Sequence, residues 1–371
     1  MLRLLLVGCA VTLSSSLTAN APSGLNTKNG LYLGADLSYV NEMEDCGVTY
    51  RAKGKPVDPF KYLQTRGGNM VRVRIWNDAK WTKYSGFEDV VKTLRRAKAA
   101  GLKTLLDFHY SDDWADGDKQ IAPAAWAQLS ADGQAAALHD YTYKTLIKLN
   151  ALGLMPDWVQ VGNETNGELM AGATRADINW TRNAKLFNAG ILAVRKAGAA
   201  AGKRPKVMLH IAQPENVLKW FDAATKAGVA DYDLIGISYY RKWSTRSMQQ
   251  LGATIRDAKS QFKADVVLVE TAYPFTNAAE DASPNLLSAD SLIDGYPATK
   301  KGQLNYLTDI TQITVNNGGI GVIYWEPAWV SSSCKTRWGP GSNWENAAWF
   351  DLKSHSALPG FDFLSKTYFR K

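Results

Sequence analysis

What most constrains this chain is a pattern that recurs eight times, a short apolar run followed by a helix-length amphipathic segment. The runs are Leu31–Asp36, Met70–Trp76, Lys103–Tyr110, Asp157–Glu164, Lys206–Ile211, Tyr232–Tyr240, Ala264–Tyr273 and Ile320–Pro327. Each is close to continuously apolar, as strands buried on both faces must be. Between them, Phe87–Ala100 puts Val90, Val91, Leu94 and Ala97 on one stripe and ends at Gly101, a natural helix stop. Gln134–Leu152, Asp177–Gly202 and Gln303–Asn317 read the same way. Alternation of this kind predicts parallel strands with right-handed crossovers. Eight units fit a single (β/α)8 TIM barrel with long βα rim loops better than an open doubly wound sheet, since such barrels take about 250 residues or more. No strand run is followed by G-x-G-x-x-G; Gly318-Gly319-Ile320-Gly321 precedes its strand.

The barrel is expected to fill residues 21–371. Residues 1–20 read as an export signal: Arg3, an apolar stretch from Leu4 to Leu13, then small polar residues. That stretch is too short to span a bilayer, which needs about 20 apolar residues. Leu6-Val7-Gly8-Cys9 resembles a bacterial lipoprotein box, so membrane attachment is expected only through a lipid anchor at Cys9, with cleavage near Ala19 as the alternative. The expected location is secreted, cell-surface or periplasmic. Cys46 and Cys334 then remain, either as a disulfide in an oxidising compartment or as two unrelated thiols. Cys46 follows the first strand and Cys334 the last, and those strands are neighbours in a closed barrel. The formal charge of +8 comes from 43 basic and 35 acidic residues spread along the chain, with no basic run of nucleic-acid type. No nucleic-acid partner is expected, and the chain is expected to be a monomer.

In such barrels the chemistry sits at the C-terminal ends of the strands. Those ends carry Asp36, Arg74 with Trp76, Asp107 with His109, Asn163 with Glu164, His210, Tyr239 with Tyr240, Glu270, and Trp325 with Glu326. Glu164 and Glu270 stand out because an ionisable group closing an apolar strand is costly unless it is paired or bonded. They end strands four and seven, on opposite sides of the mouth. Glycoside cleavage needs such a pair, one carboxyl protonated and one ionised. Arg74 is the expected cation beside Glu270, and an apolar setting is expected to keep Glu164 protonated. The alternative is two rim glutamates in structural ion pairs. The 13 Trp, 16 Tyr and 11 Phe exceed what a core of this size requires. Trp76, Trp114, Tyr239, Tyr240, Trp325, Trp329 and Trp338 cluster at strand ends and in the loops after them, which suits a sugar-binding groove.

At these residues the sequence resembles glycoside hydrolase family 53, the endo-β-1,4-galactanases, from about Leu31 to about Leu364. The resemblance rests on Gly34-Ala35-Asp36-Leu37-Ser38, Val71-Arg72-Val73-Arg74-Ile75-Trp76, Asp107-Phe108-His109-Tyr110-Ser111-Asp112 with Trp114-Ala115-Asp116, and Val161-Gly162-Asn163-Glu164. It extends through Glu270-Thr271-Ala272-Tyr273-Pro274, Tyr324-Trp325-Glu326-Pro327-Ala328-Trp329 and Phe350-Asp351. It implies retaining hydrolysis of β-1,4-galactan side chains of pectin, with Glu164 as acid/base and Glu270 as nucleophile. Arg74, His109, Trp114, Asn163, Tyr239, Trp325 and Trp329 would contact substrate, with Trp76, Trp114 and Trp329 as stacking platforms. His210 would orient a carboxylate or be a satisfied strand-end histidine, while His139 and His355 look inert.

The resemblance has departures. Asn166-Gly167-Glu168-Leu169-Met170, Tyr239-Tyr240-Arg241-Lys242-Trp243 and Asp116-Gly117-Asp118 differ from the stretches usual in the family, and all fall on rim loops. Some relatives bind calcium after strand seven. Here Asn277–Asp294 offers Glu280, Asp281, Asp290 and Asp294 without a D-x-D-x-D-G-type run, so no essential metal and no cofactor are expected. The alternatives are a related β-1,4-glycanase acting on mannan or cellulose, and a non-catalytic galactan-binding barrel.

Overall fold

A computed structural model describes residues 24–337 and 339–370. The export signal, Cys9 and Trp338 lie outside these residues. The barrel strands are β1 (Tyr32–Asp36), β2 (Met70–Ile75), β3 (Lys103–Phe108), β4 (Trp158–Val161), β5 (Lys206–Ala212), β6 (Leu234–Ser238), β7 (Asp265–Glu270) and β8 (Gly321–Tyr324). They pair in parallel, each with its neighbour in sequence, and β8 returns to β1 to close the barrel. Seven of the eight expected runs contain a whole strand, most of them running on past its C-terminal end into rim residues, and Lys206–Ile211 stops one residue short of β5.

The helices are α1 (Val40–Asp45), α2 (Pro59–Thr65), α3 (Phe87–Ala99), α4 (Ala131–Ala151), α5 (Trp180–Ala200), α6 (Pro214–Lys226), α7 (Met248–Phe262) and α8 (Lys300–Asn316). Local chemistry sets several of their starts. Ser130, Asn179 and Thr299 cap α4, α5 and α8 with their side chains, and Ser247 with Gln250 forms a reciprocal capping box on α7. The last barrel position is taken by a 3-10 segment, Pro359–Ser365, which packs on α8.

Side chains alternate across each strand, and this separates two cores. The outward-facing residues pack under the helices in a large cluster. The inward-facing ones, Met70, Leu105, Trp158, Met208, Leu234, Val267, Val269 and Ile323, form a smaller cluster that plugs the barrel interior. Two residues further along the same faces come Arg72, Asp107, Gln160 and His210, all buried. The polar floor of the mouth is therefore set by strand periodicity on top of an apolar plug. At Gly34 a Cβ would lie 1.9 Å from the Met70 carbonyl oxygen, so the approach of β1 to β2 requires glycine there.

The pairing of β6 with β7 is irregular. Ile237 is opposite Leu268, whereas Ser238 is opposite Glu270. One extra residue on β7 breaks the alternation, so Val269 packs in the interior and Glu270 also lines the mouth.

Cys46 and Cys334 form a disulfide with Cα atoms 5.4 Å apart. It ties the end of α1 to the loop after β8. The Cys46→Ser/Cys334→Ser variant should keep its helical circular-dichroism signal and lose about 2–4 kcal/mol of stability in denaturant melts.

Candidate active site

The strand ends surround a cavity of about 490 Å³. At its floor lies Arg72, buried, whose guanidinium reaches five partners. Nη1 meets Glu270 Oε1 at 2.6 Å and Asp36 Oδ2 at 3.1 Å. Nη2 meets Asp107 Oδ2 and Asn163 Oδ1, each at 2.7 Å, and Nε meets Gln160 Oε1 at 3.3 Å. Here the expectation for Arg74 is corrected. Arg74 pairs with Glu326 at 2.6 Å, and Arg72 is the cation beside Glu270. Both arginines face inward from one strand, but an arginine side chain reaches about one two-residue step, roughly 6.6 Å, along the barrel. The guanidinium at the level of Glu270 therefore comes from the residue one layer below. Arg74 still lines the cavity, its guanidinium 4.4 Å from the ring centres of both Tyr39 and Trp114.

Glu164 and Glu270 face each other as expected, with carboxyl oxygens within 4.8 Å, yet their environments differ. Glu270 is held by Arg72 on one oxygen and by the Tyr240 hydroxyl, 3.1 Å away, on the other. Burial still raises its pKa above the ordinary glutamate value, against the pull of Arg72. Glu164 is pushed up to about 8, first by burial and then by the charge of Glu270, opposed by a hydrogen bond from Ser238. Glu164 is thus the carboxyl that keeps a proton at neutral pH.

The backbone at Glu164 is left-handed, with φ 46°, a strained setting for a residue other than glycine. Neighbouring strands hold it there. The Glu164 N–H donates to His210 Nδ1 at 3.3 Å, the Thr165 N–H to the His210 carbonyl at 3.0 Å, and Gln120 donates to the Asn163 carbonyl at 2.8 Å.

The other expected residues divide. His109 lines the cavity, with Nδ1 accepting from the Trp76 indole and the Ala115 N–H and Nε2 facing Asp107 at 3.1 Å. Asn163 lines it as well; one amide hydrogen goes to the Ala115 carbonyl at 2.8 Å, which leaves the other for a ligand. Trp114, Trp325 and Trp329 are in the wall. Tyr239 is not. Its ring is buried and its hydroxyl donates to the Arg246 carbonyl at 2.9 Å, because consecutive residues point to opposite sides and Tyr240 takes the inward position. Trp76 is 2% exposed and lies edge-on beneath Trp114, a support rather than a platform.

The cavity also contains Gln213, which directly follows β5, and Trp243, Leu286, Asn343 and Trp344, which arrive on long loops; of these only Trp243 and Trp344 carried a compositional hint. Glu164, His210 and Glu270 form the one group with metal-ligand spacing among the described residues. Both ring nitrogens of His210 are already engaged, however, by Glu164, Gln160 and Ser238, so the donor set does not suit a cation. In the loop after β7, Asp281 accepts from the Ser283 and Ser342 N–H groups, and Asp290 pairs with Lys242 at 3.2 Å.

Replacing Arg72 by Met would leave Asp36, Asp107 and Glu270 facing one another without a cation. The variant should lose about 3–5 kcal/mol at pH 7, measured in urea. Its uncompensated carboxyls would have folded-state pKa values above those of the unfolded chain, so the folded form binds extra protons and the deficit should shrink as pH falls towards about 5. A deficit of the same size at all pH values would contradict this.

The chain matches the model of glycosyl hydrolase family 53 over residues 32–364. It is 50% identical over 357 residues to an arabinogalactan endo-β-1,4-galactanase of Cellvibrio japonicus, covering 95% of each chain. It is 39% identical over 316 residues to an endo-β-1,4-galactanase of Bacillus subtilis, covering 82% of this chain and 71% of the relative. Among solved structures, the family 53 catalytic domain of Ignisphaera aggregans superposes with a TM-score of 0.84 at 29% identity, covering 94% and 99% of the two chains. With the family matched over the whole barrel, this chain belongs to glycosyl hydrolase family 53.

Proposed function

We propose that the chain is an endo-acting β-1,4-galactanase that cleaves galactan and arabinogalactan side chains with retention of anomeric configuration. The observation that carries the mechanism is the close approach of the carboxyl pair, one oxygen of each lying within 4.8 Å of the other. Retaining glycosidases hold their carboxyls about 5–5.5 Å apart, and inverting ones about 6.5–9.5 Å to admit a water. The galactan specificity draws on the relatives, which are galactanases by name over nearly the whole chain.

In the first step a Glu270 oxygen attacks the anomeric carbon while Glu164 gives its proton to the leaving glycosidic oxygen. The C–O bond to the leaving sugar breaks, and a glycosyl ester on Glu270 forms. In the second step Glu164, now a carboxylate, takes a proton from water as that water attacks the same carbon, and Glu270 leaves ionised. Arg72 and Tyr240 suit both steps, because they bond Glu270 in its charged form. Trp114 and Trp325, both only partly buried, supply flat apolar faces for the sugar rings, with the buried Trp329 behind them in the wall. Export by residues 1–20, with or without a lipid on Cys9, would bring the enzyme to its polysaccharide.

Glu164→Gln should lose about 10²–10⁴-fold of its rate on linear β-1,4-galactan, and Glu270→Gln at least as much, both with wild-type thermal unfolding. Reducing-sugar release on galactan, mannan and cellulose, with NMR of the first-formed anomer, checks activity, substrate and stereochemistry together. Near-full turnover by either variant, or a first product of inverted configuration, would refute the mechanism.

The protonated form of Glu164 is needed for the first step, so kcat/KM should fall as pH rises through about 8. The raised pKa also means that folding favours the protonated carboxyl, so stability is lost as pH climbs from the unfolded value towards about 8. Glu164→Gln removes that loss and should melt no lower than the parent above pH 8.

A further inference from the structure

Ser238 closes β6 in the cavity wall it shares with Glu164, buried, with its hydroxyl 2.8 Å from His210 Nε2, and it lowers the Glu164 pKa as a hydroxyl donor does. The direction of these bonds follows from the other ring nitrogen. The Glu164 backbone N–H points at His210 Nδ1 from 3.3 Å. N–H groups only donate, so Nδ1 carries a lone pair and Nε2 carries the hydrogen. Asn163 Oδ1, 3.0 Å from Nδ1, already accepts from Arg72 at 2.7 Å. Burial, reinforced by the Arg72 charge, keeps His210 neutral, with its pKa well below the ordinary value. The Nε2–H therefore donates to Ser238, and the serine's single hydrogen is left for Glu164.

We propose that Ser238, oriented by His210, is a positioning residue for the acid/base: its hydroxyl donates to one oxygen of Glu164 and leaves the transferable proton on the other. This rests on the reading of Glu164 as acid/base. In the second step the same donor steadies the carboxylate that takes the water's proton. The register irregularity brings Ser238 opposite Glu270, in the cavity wall that both share with Glu164. The other ionisable groups acting on Glu164 are Glu270 on β7, Asp116 on the loop after β3 and Arg72 on β2, with Tyr240 beside Glu270. Ser238→Ala alters none of them.

The test is the kcat/KM pH profile on linear β-1,4-galactan. Loss of a donor to the charged form raises a carboxyl pKa, so in Ser238→Ala the alkaline limb should move up by about one pH unit, the scale of one charge-assisted hydrogen bond. Ser238→Thr, which keeps the hydroxyl, should retain the wild-type limb. An unmoved limb in Ser238→Ala overturns the proposal. Glu164→Ala with azide and an activated aryl β-1,4-galactooligosaccharide separates this from the underlying assignment. Formation of a β-galactosyl azide supports Glu164 as acid/base, and in that background Ser238→Ala should have no further effect. If Ser238→Ala slows the Glu164→Ala enzyme by the factor seen in the parent, Ser238 acts independently of Glu164 and the proposal fails. If azide gives no rescue, the acid/base assignment fails and the proposal with it.

Discussion

One guanidinium organises the mouth of this barrel. Arg72 sits above the apolar interior plug and joins residues of β1, β3, β4 and β7 through Asp36, Asp107, Asn163, Gln160 and Glu270. Moving ionised groups out of water costs several kcal/mol each even after relaxation. Three carboxylates at one level of a closed barrel are compatible with folding only because a planar, multiply donating cation lies among them. The fold and the chemistry depend on the same ion. It neutralises the strand ends that close the barrel, and it favours the charged form of Glu270, the proposed nucleophile.

Around that centre the two glutamates diverge through their neighbours. Glu270 has a cation and a phenol on its two oxygens. Glu164 has the Ser238 hydroxyl and only the weaker pull of the Arg72 charge, and faces the charge of Glu270 on a backbone strained into the left-handed region. The strain is borne by bonds from β5 and from Gln120, so the position of Glu164 belongs to the closed barrel rather than to its own loop. Burial raises both carboxyls, Glu164 to about 8, but only Glu270 is bonded to a cation that draws it back.

The aromatic residues serve at two depths. Trp114, Trp325 and Trp329 reach the cavity, while Trp76 and Tyr39 lie behind them and hold Trp114 and Trp329 in place. Arg74 is wedged between Tyr39 and Trp114, so the second strand arginine stiffens the wall instead of neutralising the floor. Across the mouth, the loop carrying Asn343 and Trp344 follows Cys334, whose disulfide ties it back to α1.

The sequence by itself determined the architecture and the identity of the paired carboxyls. Eight apolar runs with helical spacers permit few closed arrangements, and a glutamate ending an apolar strand is conspicuous because burying it is costly. Which arginine meets Glu270, which of Tyr239 and Tyr240 faces inward, and how Ser238 and His210 come to address Glu164 were decided by tertiary structure. Those outcomes depend on the height of each strand in the barrel and on a one-residue irregularity between β6 and β7. The Asn343 and Trp344 contribution was equally hidden, since a loop is brought over the site by contacts distant in sequence, among them a disulfide spanning 288 residues. Periodicity assigns a side chain to a face. Only the closed barrel, by fixing strand stagger, assigns it a level and a partner.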